Sequence, residues 1–386
     1  MENFNPGDVA QRIMDAVKKE YKELTTLNVM ILGKTGVGKS TLINNMFSKK
    51  VAETGTGKPV TTKIRKYELP DYPLAIYDTP GLELSGENDV DNLLSQVIGE
   101  IQKGIKSGEI SKAIHCIWYC VSTPSHRFEQ AEIDFLQKLL SGIEYFNVPV
   151  IVVLTQSYSK ADAKALKSAI EKENLAIANV VPVLAENYDI DEDYTAKAFG
   201  LDKLSEVMNN VIPDAVRKTF ISLQVANIEL KKGRAQAVVA ASATAAAATG
   251  AVPIPFSDAA LLVPEQITML AGITAVFGIP IEKATLVAIV SATIGTAGTT
   301  VLGKTIVSGL LKLIPGVGSV VGGAISGATA AALTAALGEA YIIILIKVAK
   351  GEMKIADIAT EAGKAEITHI FMEQLKVKRD KNGQPE

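Results

Sequence analysis

The chain has 386 residues, of which 48% are hydrophobic and only 5% aromatic, and a formal net charge of −3. This length is sufficient for two domains, each with its own core. The charge argues against a nucleic-acid-binding protein that relies on overall positive charge, although it is compatible with a local basic patch. Residues 1–6 lack the basic and apolar regions of a signal peptide, which favours a cytoplasmic protein.

Residues 1–26 form the first predicted segment, an N-terminal amphipathic helix. Val9, Ile13 and Val17 lie near one helical face, and lysines and glutamates occupy the rest of its surface. We expect this helix to pack on one of the two domains. An anchor on a membrane surface is the alternative interpretation.

Residues 27–213 alternate strand-like and helix-like segments at the spacing of βαβ units. The predicted strands are 27–32, 63–69, 74–77, 113–121, 148–154 and 180–184. The predicted helices are 41–47, 88–107, 128–140, 161–173 and 201–211. This alternation predicts an α/β fold: a mostly parallel sheet with helices on both faces, which binds ligands at the carboxyl ends of its strands.

The two cysteines, Cys116 and Cys120, fall in one predicted strand, four residues apart on the same face. A disulfide does not form at this spacing within a strand, and two thiols do not make a metal site. We therefore expect two buried apolar thiols, typical of a protein from a reducing compartment.

The run Gly33-Lys34-Thr35-Gly36-Val37-Gly38-Lys39-Ser40 has the pattern G-x-x-x-x-G-K-[ST] of a phosphate-binding loop. It lies between a predicted buried strand and a predicted helix, which is the context that this motif requires. The glycines allow backbone N–H groups to surround phosphate oxygens, and the helix dipole adds positive potential. We expect Lys39 to contact the β- and γ-phosphates and Ser40 to bind magnesium.

A second motif, Asp78-Thr79-Pro80-Gly81, ends the predicted strand 74–77. Asp78 is expected at the carboxyl end of that strand, where it can bind magnesium through water. Gly81 is expected to offer a backbone N–H group to the γ-phosphate and to act as a flexible joint.

These two motifs, with Thr61-Thr62 between them, resemble the Era-like and septin-like branches of the translation-factor-related P-loop GTPases. The resemblance covers the predicted sheet domain and implies GTP or GDP and Mg²⁺ as ligands, with GTP hydrolysis as the activity. In that family a threonine of the first switch binds magnesium through its hydroxyl. Thr62 is the favoured match, with Thr61 as the alternative.

The base-recognition motif of this family, N/T-K-x-D, should follow the predicted strand 148–154, where this chain has Thr155-Gln156-Ser157-Tyr158. The family's aspartate accepts hydrogen bonds from guanine N1 and N2, which Tyr158 cannot do together. Other contacts from this segment are therefore expected. The last base-binding loop of the family would lie near Ala185 and Asn187, which match it poorly.

Leu82 stands where small GTPases carry a glutamine that orients water, and leucine cannot orient water. We therefore expect slow intrinsic hydrolysis, assisted by another residue, a partner or dimerisation across the nucleotide face. Arg127 is the favoured candidate for supplying positive charge.

The resemblance and the motifs together define a predicted site. The residues expected to bind the nucleotide are Gly33, Lys34, Thr35, Gly36, Val37, Gly38, Lys39, Ser40, Thr41, Thr61, Thr62, Asp78, Gly81, Thr155, Gln156 and Ser157. Those expected to act in hydrolysis are Lys39, Thr62, Gly81 and Arg127. The predicted magnesium ligands are Ser40, Thr62 and Asp78.

Residues 214–375 are predicted to form an all-α domain rich in alanine and glycine. Three stretches carry no charge: 235–257, 284–303 and 313–338. The sequence is therefore compatible with two interpretations, membrane-spanning helices and a soluble helical bundle. The segment 252–269, with Pro253, Pro255 and Asp258, resembles the domain of unknown function of family 697, often joined to Era-like GTPases in bacteria. Residues 376–386 are predicted to be a flexible basic tail.

The leading hypothesis is a GTP-dependent switch that acts through the helical domain. The alternative is a membrane-associated structural or remodelling protein whose assembly is controlled by GTP. The expected partners are a guanine nucleotide, a second copy of the chain and membrane lipid, in the cytoplasm or on the cytoplasmic face of a membrane. The C-terminal half has no aromatic-and-basic module typical of RNA binding, which argues against a nucleic-acid partner.

Overall fold

A computed structural model of the protein describes residues 5–47, 64–70, 72–79, 87–249, 264–293 and 327–382. The chain divides into two compact units. The sheet unit is Leu24–Asn227, and the helical unit combines Met1–Glu23 with Ile228–Glu386.

The strands and helices predicted from the sequence between residues 27 and 213 are all present among the described residues, and the short strands Tyr188–Asp189 and Thr195–Ala196 and the helix Asp214–Leu223 are additional. The strands are β1 (Leu27–Gly33), β2 (Arg65–Leu69), β3 (Tyr72–Asp78), β4 (Cys116–Ser122), β5 (Val150–Thr155), β6 (Asn179–Pro182), β7 (Tyr188–Asp189) and β8 (Thr195–Ala196). The helices are α1 (Pro6–Lys22), α2 (Lys39–Met46), α3 (Glu87–Lys106), α4 (Gln130–Ile143), α5 (Lys160–Lys172), α6 (Leu201–Val211), α7 (Asp214–Leu223), α8 (Ile228–Thr249), α9 (Pro264–Phe277), α10 (Lys283–Thr293), α11 (Gly327–Ala349) and α12 (Glu361–Asn382).

Six strands form a sheet in the order β2-β3-β1-β4-β5-β6. Neighbouring strands run parallel, except that β2 is antiparallel to β3. In this register Asp78 of β3 pairs with Ile31 of β1, and Gly33 of β1 pairs with Cys120 of β4. The predicted phosphate loop and Asp78 therefore lie at the same edge of the sheet, as expected for a parallel α/β fold.

Helices cover both faces of the sheet, because successive residues of β1 enter two different cores. Val29 and Ile31 pack with side chains of α2, α6 and α7. Met30 and Leu32 pack with side chains of α3, α4 and α5. Every residue of β1 is buried, which explains why the strand appears in the sequence as an uninterrupted apolar run.

The two cysteines are free and fully buried in one core. Burial raises the pKa of the Cys120 thiol to about 12 and that of Cys116 further still. Both side chains are therefore neutral, apolar packing groups at physiological pH, as predicted.

The sheet unit extends beyond residue 213, the end that the sequence predicts for it. Pro213 is the N-cap of α7 and does not mark a domain boundary. Val216, Phe220 and Leu223 of that helix are buried in the same core as β1 and α2. Helix α7 belongs to the sheet unit because its apolar face completes this core, and the division between units lies after Asn227.

The helical unit includes α1, which contacts α9 and α10. Val9, Ala10 and Ile13 of α1 are buried, in agreement with the expectation of a packed amphipathic helix. Residues 376–382, predicted to be part of a flexible tail, continue α12 instead. Lysine and arginine are good helix formers and are favourable near a helix C-terminus, which accounts for the difference.

Within the helical unit, α11 contains one segment, Ala331–Ala349, that is long and apolar enough to cross a membrane. Half of its most apolar window is buried inside the unit, and core helices of soluble proteins meet the same criterion. Tyr341 of this segment is fully buried and shares a hydrogen bond of 2.7 Å with Thr274 of α9. The segments around Pro253 and Pro255 and the glycine-rich residues 316–326 lie outside the described residues.

Candidate functional site

The loop from Gly33 to Gly38 connects β1 to α2 and depends on glycine at three positions. Gly33, Gly36 and Gly38 have φ angles of 144°, 78° and 89°, in the region that favours glycine. A Cβ atom on Gly33 would lie 2.5 Å from the carbonyl oxygen of Cys120, whereas one on Gly36 would meet nothing within 4 Å. Gly33 therefore permits close approach to β4, and Gly36 lies at an open position.

Lys39 is the first residue of α2, and its side chain extends back over the loop. Its Nζ atom donates hydrogen bonds to the carbonyl oxygens of Gly33 at 2.8 Å and Lys34 at 3.1 Å. Val37 anchors the loop, since it is buried in the core beneath it. This arrangement holds an ammonium group beside a set of backbone N–H groups, which suits an anionic ligand.

Lys34 has a different environment, although it belongs to the same loop. Its Nζ atom lies 2.7 Å from Glu129 Oε2 and 3.7 Å from Glu132 Oε2, and these two glutamates form the capping box of α4. Burial lowers the pKa of Lys34, but the hydrogen bond and charges of both glutamates outweigh it, so the pKa is raised. The side chain of Lys34 thus links the loop to α4.

Asp78 ends β3 beside the loop, at the predicted position. Its Oδ1 atom is buried and has no hydrogen-bond partner among the described residues. Burial raises the pKa of this carboxyl, and the nearby charges of Lys39 and Arg65 oppose that shift. A buried carboxylate oxygen without a partner fits a hydrated cation, and with the Ser40 hydroxyl on α2 it provides the oxygen donors that Mg²⁺ prefers.

The remaining predicted phosphate-side residues fall into two groups. Thr35, Ser40 and Thr41 lie in the loop and the first turn of α2, as expected. Thr61, Thr62, Gly81 and Leu82 lie outside the described residues. Arg127 is exposed, in the connection between β4 and α4.

A pocket of about 190 Å³ lies beside the loop in the sheet unit. Gly38 and Thr41 line it on the phosphate side, and Tyr158, Glu186 and Tyr188 line it elsewhere. The rings of Tyr158 and Tyr188 are 4.3 Å apart and inclined by 40°. A flat, partly apolar ligand attached to phosphates suits this combination of loop and aromatic pocket.

Gln156 connects the loop to the neighbouring strand. Its backbone has a φ angle of 52°. Its Nε2 atom donates to Gly36 O at 3.1 Å, and its Oε1 atom accepts from Ser122 Oγ at 2.7 Å. Gln156 therefore lines the pocket and also positions the loop, which the sequence did not reveal.

Thr155 and Ser157, also predicted to contact the base, have buried hydroxyls that bind backbone oxygens. Thr155 Oγ1 donates to Val121 O at 3.1 Å, and Ser157 Oγ donates to Leu154 O at 2.8 Å. Thr155 still lines the pocket, whereas Ser157 is fully buried and bonded to the Thr123 hydroxyl at 2.9 Å. The hydroxyl of Ser157 therefore holds the end of β5.

Besides the apolar side chains Leu42, Val183 and Leu184, the pocket has two lining residues that the sequence patterns did not identify, Glu186 and Tyr188. Both follow β6, and parallel strands place the loops at their carboxyl ends along one edge of the sheet. That rule predicts that the loop after β6 lies at this edge of the sheet. It does not predict which side chains of the segment between β6 and α6 face the pocket.

Comparisons with known proteins agree with this architecture. Residues 28–156 match the family described as 50S ribosome-binding GTPase, and residues 223–377 match a domain of unknown function, DUF697. The chain is 24% identical to human Septin-12 over 47% of this chain and 56% of that protein. It is also 24% identical to neuronal-specific septin-3 of Danio rerio, over 50% of this chain and 57% of that protein.

The chain thus spans a little more than half the length of these curated relatives. Among solved structures, Era from Aquifex aeolicus bound to GDP and AlF4⁻ is 21% identical and covers 50% of this chain and 58% of its own, with a TM-score of 0.35.

Proposed function

We propose that this chain, in which a P-loop GTPase domain is joined to a DUF697 domain, is a GTP-dependent switch that hydrolyses GTP to GDP. The observation that supports this proposal is the loop 33–40 between β1 and α2, with Lys39 across it and Asp78 on the adjacent strand. The neighbouring pocket offers room for a base on the side of the loop formed by Gly38 and Thr41.

The residues of this chain would act mainly by binding and orienting the phosphates. Backbone N–H groups of the loop would donate hydrogen bonds to phosphate oxygens. The ammonium group of Lys39 would leave the carbonyl oxygens of Gly33 and Lys34 and bind phosphate oxygens, because charged acceptors bind an ammonium group more strongly than neutral ones. Ser40 and Asp78, together with Thr62 by family resemblance, would hold Mg²⁺, which when bound neutralises charge on the β- and γ-phosphates.

Calorimetric titration of the full chain with GTP, GDP and ATP, with and without Mg²⁺, tests this function directly. We expect GTP and GDP to bind and ATP to bind much more weakly. Lys39→Ala should abolish binding, because the principal side-chain contact to the phosphates is lost. The matched control is Lys103→Ala, which removes an exposed lysine of α3, outside the loop, and should leave nucleotide binding unchanged.

Retained GTP binding in the Lys39→Ala variant would show that the loop does not bind phosphates as proposed. Equal affinity for GTP and ATP would contradict a guanine-nucleotide switch.

Turnover is proposed to be slow in the isolated chain, since Leu82 cannot orient a water molecule. A partner protein or a second copy across the nucleotide face would supply the missing group, with Arg127 as the candidate charge. Single-turnover GTP hydrolysis measured over a range of protein concentrations separates these cases. A fast rate that does not depend on protein concentration would contradict assistance by a partner or a dimer.

The switch itself is proposed to involve residues 51–62 and 81–89, which GTP and Mg²⁺ would order and hydrolysis would release. The effect on the DUF697 domain would be a change in its contacts. This part of the proposal follows from family resemblance, since most of these residues lie outside the described ones.

A second candidate function is a membrane-associated structural or remodelling protein whose assembly is controlled by GTP. The observation that favours it is the apolar segment Ala331–Ala349 of α11, which has the length of a membrane span. Flotation with liposomes in the presence of a GTP analogue or GDP tests it, and also tests the proposed location on the cytoplasmic face of a membrane. Absence of lipid association in both nucleotide states would rule it out.

A further inference from the structure

Glu186 lies in the connection between β6 and β7, and local hydrogen bonds fix the position of this connection. Leu184 and Phe199 exchange two backbone hydrogen bonds, at 3.0 and 2.9 Å. The side chain of Asn187 accepts a hydrogen bond from the backbone N–H of Ala198 at 2.9 Å. The loop therefore presents Glu186 from an ordered support, although the residue itself is exposed.

The carboxylate of Glu186 is chemically distinct within the pocket. Among the described residues that line the pocket, it is the only acidic side chain. No described residue forms a hydrogen bond or a salt bridge with it. Two other polar side chains of the pocket are already engaged, since Gln156 bonds to Gly36 and Ser122 and the Thr155 hydroxyl bonds to β4. Glu186 thus provides two available acceptor oxygens.

Guanine differs from adenine in the pattern of donors along one edge. Guanine presents two adjacent donors, N1–H and the N2 amino group, whereas adenine presents the acceptor N1 next to a single amino group. A carboxylate offers two acceptor oxygens side by side and no donor, so it complements guanine and repels the adenine N1 lone pair. The neighbouring tyrosine hydroxyls have one oxygen each, so neither can place two acceptor atoms side by side opposite N1–H and the N2 amino group.

We propose that Glu186 recognises the guanine base, in place of the aspartate that this chain lacks after β5, while Tyr158 and Tyr188 form the aromatic wall beside the base. This inference rests on the proposed function and assigns base specificity to a different loop from the one that carries it in related GTPases.

The electrostatics of the pocket agree with this placement. Burial raises the pKa of the Tyr158 hydroxyl, and the neighbouring groups Tyr188 and Glu186 add to the rise. The negative charge of Glu186 therefore acts on the ring of Tyr158, which lines the pocket. Aromatic side chains stack on nucleobases without selecting among them, so the Glu186 carboxylate would provide the selectivity for guanine.

The test is calorimetric titration of the full chain, with Mg²⁺ present, using GDP, ADP and xanthosine diphosphate as probes. Glu186→Gln should weaken GDP binding about 10- to 100-fold, because charge-assisted hydrogen bonds to guanine are lost. It should strengthen binding of xanthosine diphosphate, since the amide N–H can donate to the xanthine O2 atom that a carboxylate repels. Glu186→Asp should retain the preference for GDP over ADP.

The matched control is Glu192→Gln, which makes the same change at an exposed residue between β7 and β8 that does not line the pocket. It should bind all three nucleotides as the unchanged chain does. Thermal unfolding of each variant shows whether the fold is intact.

The outcomes separate this inference from the proposed function. Unaltered GDP binding by Glu186→Gln, with GDP still preferred over ADP, would overturn the role of Glu186 and leave the GTP switch standing. If Glu186→Gln binds none of the three nucleotides, the role in base recognition is also overturned, because that result would mean that Glu186 supports the structure of the loop instead. Equal binding of GDP and ADP by the unchanged chain would contradict the proposed function itself.

Discussion

The ring of Phe47 lies parallel to the indole of Trp118, with an interplanar angle of 5° and centroids 6.1 Å apart. Phe47 directly follows α2, and Trp118 lies in β4, where its Nε1–H group points at Met208 Sδ at 3.1 Å. Trp118 is the only tryptophan of the chain. Its fluorescence therefore reports on the core beneath the loop from Gly33 to Gly38.

Phe47→Ala is expected to destabilise the sheet unit by about 3 to 5 kcal/mol, because Phe47 is 1% exposed and its removal leaves a cavity against Trp118. Urea unfolding followed by tryptophan fluorescence measures the loss. The control is Tyr145→Ala, which truncates an aromatic side chain that is 87% exposed and should change stability by less than about 0.5 kcal/mol. Equal losses of stability for the two variants would contradict the buried stacking of Phe47 on Trp118.

Gly33→Ala is expected to cost about 2 to 4 kcal/mol, because a Cβ atom there overlaps the Cys120 carbonyl oxygen and strains a φ angle of 144°. Gly36→Ala should cost only about 1 kcal/mol, since its φ angle of 78° is strained but its surroundings are open. The same unfolding experiment ranks the two. A larger loss at Gly36 would show that the loop approaches β4 differently.

Asp78→Asn is expected to raise the stability of the nucleotide-free chain by up to about 1 kcal/mol at pH 7, because it removes a charge whose Oδ1 atom is buried without a partner. The same change should reduce the Mg²⁺-dependent gain in GTP affinity about 10- to 100-fold. Thermal unfolding and calorimetry with and without Mg²⁺ measure the two effects.

Asp134→Asn, at an exposed position on α4, serves as the control and should leave both quantities unchanged. A stable variant that retains the full effect of Mg²⁺ would mean that Asp78 does not serve the metal.

His115 predicts a pH dependence of folding. Its Nδ1 atom accepts the Asn28 N–H at 2.9 Å, and Nε2 lies 2.8 Å from Ile110 O, so the buried ring is neutral with the proton on Nε2. Burial lowers the pKa of His115, and the bond to Ile110 opposes this only in part. The unfolded state therefore binds more protons, and stability falls as the pH drops from about 6.5 through the lower folded-state pKa.

The expected slope contributed by His115 is at most about 1.4 kcal/mol per pH unit. Urea unfolding between pH 5.5 and 7.5 should show a shallower dependence in His115→Gln than in the unchanged chain. The exposed variant His369→Gln should retain the original slope. Identical slopes in all three proteins would contradict a buried neutral His115.

Much of the sheet unit could be predicted because its signals are local and redundant. The fully buried strand β1 appears in the sequence as an apolar run. The loop that follows needs glycines at fixed positions for its backbone conformation, so the glycine spacing predicts the loop and the apolar run predicts the strand before it. The predicted helix 201–211 coincides with α6. At β4 and β5, for example, the observed strand ends differ from the predicted ones by a few residues. Apolar residues that flank these strands are also buried in the core, although they do not pair with a neighbouring strand.

The domain boundary and the pocket beside the loop could not be predicted, because both depend on contacts distant in sequence. Pro213 is compatible with a domain linker and with the N-cap of a helix, and only the burial of Phe220 distinguishes them. Likewise, nothing local in Glu186 distinguishes a surface glutamate from a pocket residue. Its position emerges only when the loop after β6 is placed beside Gly38.

The packing of α1 against α9 and α10 makes the GTPase domain an insertion within the helical unit. During synthesis α1 emerges before α9 and α10, the helices that it packs against, and these follow only after the sheet unit. The GTPase domain is one continuous stretch and can complete its core in the meantime. Fragments that begin at residue 228 therefore lack α1, although this helix packs against α9 and α10 in the same compact unit.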